Sequence, residues 1–261
     1  MKKRALFLSL LSLAFIAGCG ENSFKGQEDK NSTEAKQFDI SAQLDTGNYE
    51  AVINDPNATA TDYAAAAMGE AGLDPVSLIQ AMNDISTDPN ITENDLGPVT
   101  SIPISPTALD ELQTAKDKLA TELAANPTDP DLNFQMTLTS LTSTLTALAQ
   151  VGTENSVTGF DPSDGISSTE ADALGNYIAA NTTVQVDTDG DGSADTSLVT
   201  IIAEDVANIV NTLPNANLGT GSDLNTVLTD ATQGLGSINY DGAGTVSATD
   251  ISNYLNLVLG I

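Results

Sequence analysis

The distribution of charge limits how the second half of this chain can fold. The sequence has 36 acidic and 8 basic residues, and no lysine, arginine or histidine follows Lys118. Uncompensated carboxylates repel one another and oppose compaction. We therefore do not expect ion pairs to stabilise the C-terminal half, which needs hydrophobic packing, hydrogen bonds or bound divalent cations. The acidic balance also argues against nucleic acid as a partner, because nucleic acid requires a basic footprint.

Two absences in the composition exclude several kinds of chemistry. The chain has no histidine, which rules out a histidine-based catalytic triad and a histidine metal site. Its single cysteine leaves none for an internal disulfide. No pair of carboxylates stands out as a hydrolase centre among the many acids. We therefore predict that the chain is not an enzyme, with a carboxylate-based hydrolase as the less favoured alternative.

The N-terminus carries a targeting signal. Residues 1–4 are basic after the initiating methionine, residues 5–17 are apolar, and Gly18-Cys19 follows. This order is typical of a secretory signal, and the apolar run is shorter than the roughly 20 residues that span a bilayer. Small residues directly before Cys19 resemble the signal of bacterial lipoproteins. The resemblance implies cleavage after residue 18, acylation of Cys19 and anchoring to a lipid bilayer, and Gly20 in place of Asp favours the outer membrane. The alternative is an ordinary signal peptide.

The rest of the chain divides by composition. Residues 19–38 are polar and predict a flexible tether. Residues 39–152 predict helical hairpins, interrupted by a proline-containing linker at about 87–106. Residues 153–261 alternate loops rich in Asp and Gly with helical patterns at 170–180, 198–213, 223–235 and 250–259.

Helix signals are strongest between residues 107 and 152. Leucines recur at helical spacing from Leu109 to Leu123, and Asp129-Pro130 is a typical start for the next helix, which we expect to end at Gly152. Upstream, an alanine-rich helix is expected from Tyr63, capped by Asp62 and stopped by Gly72. Asp74-Pro75 is expected to start a further helix.

The turns of this region resemble those of tetratricopeptide-type hairpins. Residues 47–51 (GNYEA) are similar to the turn inside such a repeat, and residues 126–130 (NPTDP) to the turn between repeats. No regular 34-residue period accompanies them. A generic α-hairpin bundle is therefore an equal alternative.

Residues 187–195 (DTDGDGSAD) form the best candidate metal loop. Carboxylates at alternate positions can direct their oxygens into a tight turn, and Gly192 permits the bend. A calcium ion takes six to eight oxygen ligands, and this loop offers the side chains of Asp187, Asp189, Asp191 and Asp195 with the Ser193 carbonyl. The loop resembles the EF-hand family, except that Leu198 replaces the glutamate expected at the twelfth position. Glu204 or Asp205 could take the place of this glutamate as a calcium ligand only if the following helix began late.

A second loop, residues 239–250, resembles the calcium repeats of dockerin modules. The matching ligand positions are Asn239, Asp241, Thr245 and Asp250, whereas Ala243 stands where another carboxylate belongs. A third and weaker copy covers residues 161–170. The resemblance implies calcium binding and a mainly α fold of helical hairpins followed by EF-hand-like helix-loop-helix segments. Residues 187–195 could instead be a free-standing loop between short strands at 183–186 and 197–200.

These features predict a function in binding. The expected protein is a calcium-binding lipoprotein tethered to the cell envelope, with a structural or protein-interaction role. The alternative is a dockerin-like module that captures a partner protein at the cell surface. Two equivalent calcium loops would favour the dockerin-like module.

Overall fold

The computed structural model describes residues 32–73, 103–163, 166–181 and 183–216. Backbone contacts divide the chain into two units, Met1–Asp39 and Ile40–Ile261. In the first unit the described residues begin with a helical turn, in which the Ser32 hydroxyl accepts the backbone N–H of Ala35 at 3.1 Å. Apart from the helical residues 33–39, the remaining description concerns the second unit.

Helices make up most of the described residues, which confirms the predicted mainly α fold. The other elements described are a 3₁₀ turn at Leu213–Asn215 and two short antiparallel strands. The helices are α1 (Thr33–Asp45), α2 (Tyr49–Ile53), α3 (Ala60–Glu70), α4 (Leu109–Ala125), α5 (Pro130–Glu154), α6 (Ser168–Ala180) and α7 (Leu198–Thr212), and the strands are β1 (Gln185–Val186) and β2 (Thr196–Ser197).

The first helices differ in their ends from the sequence prediction. Helix α1 begins at Thr33, inside the segment predicted as a tether. Helix α3 begins at Ala60, because Thr59 and Asp62 form a reciprocal capping box. Asp62 is therefore the third residue of that helix and not its cap. Gly72 follows the end of α3 with a φ of 88°, as the predicted stop requires.

The α4–α5 hairpin confirms the strongest helix prediction. The Asp129 carboxylate accepts the backbone N–H groups of Asp131 and Leu132, and Pro130 is in the first turn. The predicted end at Gly152 was wrong, because α5 continues to Glu154. A Cβ on Gly152 would lie 2.3 Å from the Phe160 ring, so this glycine admits an aromatic side chain against the helix.

Helix α5 lies at the centre of the bundle and is buried on every face from Thr137 to Gly152, apart from the half-buried Leu141. It packs against α3, α4 and α7. Many of its buried side chains carry hydroxyl groups, and several of these donate to the backbone carbonyl four residues earlier. The Thr137 hydroxyl donates to the Asn133 carbonyl at 2.9 Å, and the Thr142 hydroxyl donates to the Leu138 carbonyl at 2.9 Å. These local bonds satisfy hydroxyls that water cannot reach.

The C-terminal part of the described chain packs on this hairpin. Helices α6 and α7 match the predicted helical segments, and apolar side chains of α7 such as Ile202 and Val206 are buried in the main core. The segments predicted as helices after Asp74-Pro75 and at 223–235 and 250–259, and most of the predicted linker, lie outside the described residues.

Candidate metal centre

The acidic loop is held between the two strands. Val186 of β1 pairs with Thr196 of β2, and the Asp195 N–H donates to the Val186 carbonyl at 3.0 Å. A strand therefore enters the loop where an EF-hand has a helix, which agrees with the predicted free-standing arrangement. Both strands are shorter than predicted, and β2 ends at Ser197 because α7 begins at Leu198.

Asp187 organises the loop from within. It is 9% exposed, and its two carboxylate oxygens accept the N–H of Gly190 at 2.8 Å and that of Gly192 at 2.7 Å. Both glycines have positive φ angles of 72° and 82°. Only glycine adopts this backbone readily, so the sequence pattern of alternating Asp and Gly produces a chain that folds around one carboxylate.

Three carboxylates of the loop converge. Asp187, Asp189 and Asp191 each place one oxygen within 4.8 Å of the others. Two oxygens that both lie about 2.3–2.6 Å from one calcium ion can be no more than about 5 Å apart. The spacing is therefore compatible with a shared cation. Asp187 is buried, whereas the other two are exposed.

The electrostatics of Asp189 reflect this crowding. The N–H of Asp191 donates to its carboxylate, which lowers its pKa, but partial desolvation and the charges of Asp191, Asp195 and Asp187 act in the opposite direction. The pKa of Asp189 is raised as a result. A cation among these groups would relieve the repulsion.

The other predicted ligands of this loop have different surroundings. Asp195 accepts the hydroxyl of Thr188 at 3.0 Å and its N–H at 3.3 Å, and the hydroxyl bond lowers the pKa of Asp195. Its carboxylate is not one of the three that converge. The N–H of Ser193 donates to Asp191 at 2.8 Å. Asp195 therefore bonds across the base of the loop and stands apart from the three converging carboxylates.

Helix α4 supplies a neighbour that sequence reasoning missed. A Cβ placed on Gly190 would lie 2.7 Å from Oδ2 of Asp110, so the loop approaches this carboxylate closely. The adjacent Glu111 has a pKa raised to about 7 by burial, by a hydrogen bond with Asp110 and by the charges of Asp110 and Glu70. The acidic loop thus lies beside an acidic segment of α4, which the spacing of residues within the loop does not reveal.

In the weaker third loop, residues 161–170, the Glu170 carboxylate takes part in capping helix α6. Both Glu170 oxygens accept backbone N–H groups, from Asp161 at 2.7 Å and from Ser167 at 2.8 Å. Burial raises the pKa of Glu170, but the bonds from Ser167 and Asp161 outweigh it and the pKa is lowered. Glu170 thereby fixes the start of α6. The lipidation residue Cys19 and the second-loop candidates Asn239, Asp241, Thr245 and Asp250 lie outside the described residues.

A buried ion pair involves the C-terminal half, although the chain has no cation after Lys118. Lys116 of α4 contacts Asp205 of α7, and their side chains are 7% and 0% exposed. The Thr144 hydroxyl donates to Oδ2 of Asp205 at 3.1 Å, and Lys116 donates to the Ser143 hydroxyl at 3.2 Å. The cation comes from the N-terminal half. Asp205 is therefore committed to the core and does not replace the missing loop glutamate.

Comparison with known proteins gives no relative. No family model matches the chain, and no curated protein or solved structure matches it. Among the described helices, none combines the length and the apolar composition needed to cross a membrane.

Proposed function

We propose that this protein is a lipid-anchored, calcium-binding component of the cell envelope with a structural or protein-interaction role. The observation that carries the calcium part of the proposal is the convergence of Asp187, Asp189 and Asp191 within 4.8 Å. Oxygen ligands at this spacing suit a hard divalent cation. The anchoring part rests on the resemblance of residues 1–19 to a lipoprotein signal.

Calcium would act on folding through charge. The loop joins β1 to β2, and α7 begins directly after β2. Neutralising the loop carboxylates removes a repulsion that opposes its closed form, so a bound cation stabilises the folded chain by mass action. Because Leu198 occupies the twelfth position, we expect affinity in the weak extracellular range of roughly 10⁻⁴–10⁻³ M.

Thermal unfolding with calcium and with chelator tests the calcium role. The variant Asp187→Asn/Asp189→Asn keeps one oxygen acceptor at each position and removes two charges, and we expect it to lose the calcium-dependent rise in melting temperature. The matched control is Asp117→Asn/Glu122→Gln, which removes two charges from exposed positions of α4. A wild-type protein with no shift at millimolar calcium, or a shift retained by the loop variant, contradicts the proposal.

The second loop separates the structural role from capture of a partner. Changing Asn239 and Asp241 to alanine should reduce the calcium effect much less than the Asp187/Asp189 variant, because Ala243 already weakens that loop. Equal losses from both variants would instead favour a coupled, dockerin-like docking module.

The anchor is tested separately with Cys19→Ser. Wild-type protein should incorporate a labelled fatty acid and sediment with membranes, whereas this variant should do neither. Incorporation of the label by Cys19→Ser would contradict the proposed attachment.

A further inference from the structure

Lys116 and Asp205 form an unusual pair because both are almost completely removed from solvent. Nζ of Lys116 contacts Oδ1 of Asp205, and the two residues are 5% and 0% exposed. They are 89 residues apart in sequence and join helices α4 and α7. An amine and a carboxyl group are thereby held together in the core, away from the water that would hydrolyse a bond between them.

Two hydroxyl groups of α5 complete the surroundings. The Thr144 hydroxyl donates to Oδ2 of Asp205 at 3.1 Å, where negative charge would collect if Cγ were attacked. The Ser143 hydroxyl accepts from Nζ of Lys116 at 3.2 Å and from Nε2 of Gln113 at 3.1 Å. Lys116 is the charged group that faces Asp205 in the described part of the chain.

The buried position favours uncharged forms of the pair. Removing two charges from water is costly, and their mutual attraction often does not recover the whole cost. Burial raises the pKa of Asp205 to about 6, although Lys116 acts against the shift. Transfer of a proton from the ammonium to the carboxylate produces a neutral amine and a neutral acid, and condensation of these removes both charges permanently.

We propose that Lys116 and Asp205 condense to an intramolecular isopeptide bond. One proton passes from Nζ to Oδ1, and the freed nitrogen lone pair attacks Cγ. The Thr144 hydroxyl stabilises the charge on Oδ2, and the Ser143 hydroxyl relays a second proton from nitrogen to Oδ1. The Cγ–Oδ1 bond then breaks and Oδ1 leaves as water. An ammonium and a carboxylate give one amide and one water, with no change of oxidation state.

Such a bond would supply a covalent link that cysteines do not. The chain has one cysteine, so no disulfide can form within it. A link between residues 116 and 205 would close a long loop and restrict the unfolded chain, as a disulfide does.

Mass spectrometry of the purified, folded full-length chain tests the proposal. Wild type should be lighter by one water molecule than the mass calculated for the same processed and acylated chain without the bond, and digestion after acidic residues should yield a branched peptide that contains Lys116 and Asp205. Lys116→Arg retains the cation but should show the full mass under identical processing. Asp205→Asn should also show its full mass, because its amide does not accept the proton that Lys116 must release.

One outcome decides against the bond whatever the variants do. Folded wild-type protein that has the full mass calculated for its processed chain and no branched peptide overturns the proposal and leaves an ion pair. If Lys116→Arg does not fold, Thr144→Val provides the second comparison, because it preserves side-chain volume and removes the bond to Oδ2. We expect this variant to accumulate the lighter form more slowly than wild type, and an unchanged rate would contradict the assigned role of Thr144.

Discussion

Gly190 and Gly192 provide a matched pair for testing whether the acidic loop is docked on α4. Both have positive φ angles, 72° and 82°, that strain any residue with a Cβ. A Cβ on Gly190 would lie 2.7 Å from the Asp110 carboxylate, whereas one on Gly192 has nothing within 4 Å. Substitution by alanine therefore imposes the same backbone strain at both positions but a clash at only one.

The expected magnitudes follow from these two contributions. Left-handed backbone costs a residue with a Cβ roughly 1–2 kcal/mol, which is the predicted loss in the free energy of unfolding for Gly192→Ala. Overpacking costs roughly 1–3 kcal/mol, and the Asp110 side chain can move, so the lower part of that range applies. We predict that Gly190→Ala loses about 1 kcal/mol more than Gly192→Ala.

Urea unfolding followed by circular dichroism measures both losses. Repeating both substitutions in an Asp110→Ala background removes the obstructing carboxylate, and the two losses should then become equal. Equal losses in the wild-type background, or an excess at Gly190 that persists without Asp110, would refute the docking of the loop against α4.

Three further predictions concern the helices. Because the pKa of Glu111 is raised from 4.5 to about 7, its contribution to the free energy of unfolding is full below pH 4.5 and lost as the pH rises through about 7. Urea unfolding between pH 4.5 and 8 should show that Glu111→Gln removes this pH-dependent loss of stability, whereas the exposed control Glu122→Gln leaves it unchanged. Gly152→Ala places a Cβ 2.3 Å from the Phe160 ring and should destabilise by roughly 1–3 kcal/mol in urea unfolding, so a neutral result would contradict the tight contact. Thr59→Ala removes the cap of α3 and should lower stability by about 1 kcal/mol in the same assay, whereas an unchanged midpoint would mean that the capping box contributes nothing.

Local chemistry made the helices predictable. Apolar spacing identified the α4–α5 hairpin, and Asp129-Pro130 marked the start of α5 because the cap needs only neighbouring residues. The position of Gly152 was misread for the opposite reason. A glycine usually ends a helix, but here its role depends on Phe160, which packs against it. Sequence spacing alone does not distinguish these two uses.

In the acidic loop too, contacts between neighbouring residues could be predicted from sequence, whereas a contact with a distant helix could not. Alternating Asp and Gly fixed the convergence of three carboxylates, since the bonds from Gly190 and Gly192 to Asp187 lie within the loop. The approach of Asp110 to Gly190 depends on how α4 and the loop meet. No periodic pattern connects such distant positions.

The buried ion pair was the largest departure from expectation. Counting charges along the chain assigned no cation to the C-terminal half, but folding places Lys116 of α4 beside Asp205 of α7. The hydroxyl groups of Ser143 and Thr144, which look like ordinary polar positions in sequence, provide its remaining bonds. A polar network of this kind is specified by three-dimensional packing and not by hydrophobic periodicity.

Direct calcium titration by calorimetry is the most immediate test of the proposed function. The full-length wild-type chain should release or absorb heat with saturation at roughly 10⁻⁴–10⁻³ M calcium. The heat should be strongly reduced in Asp187→Asn/Asp189→Asn and preserved in Asp117→Asn/Glu122→Gln. No binding heat in the wild type up to millimolar calcium, or the same heat in the loop variant, would contradict the assignment of residues 187–195 as a calcium site.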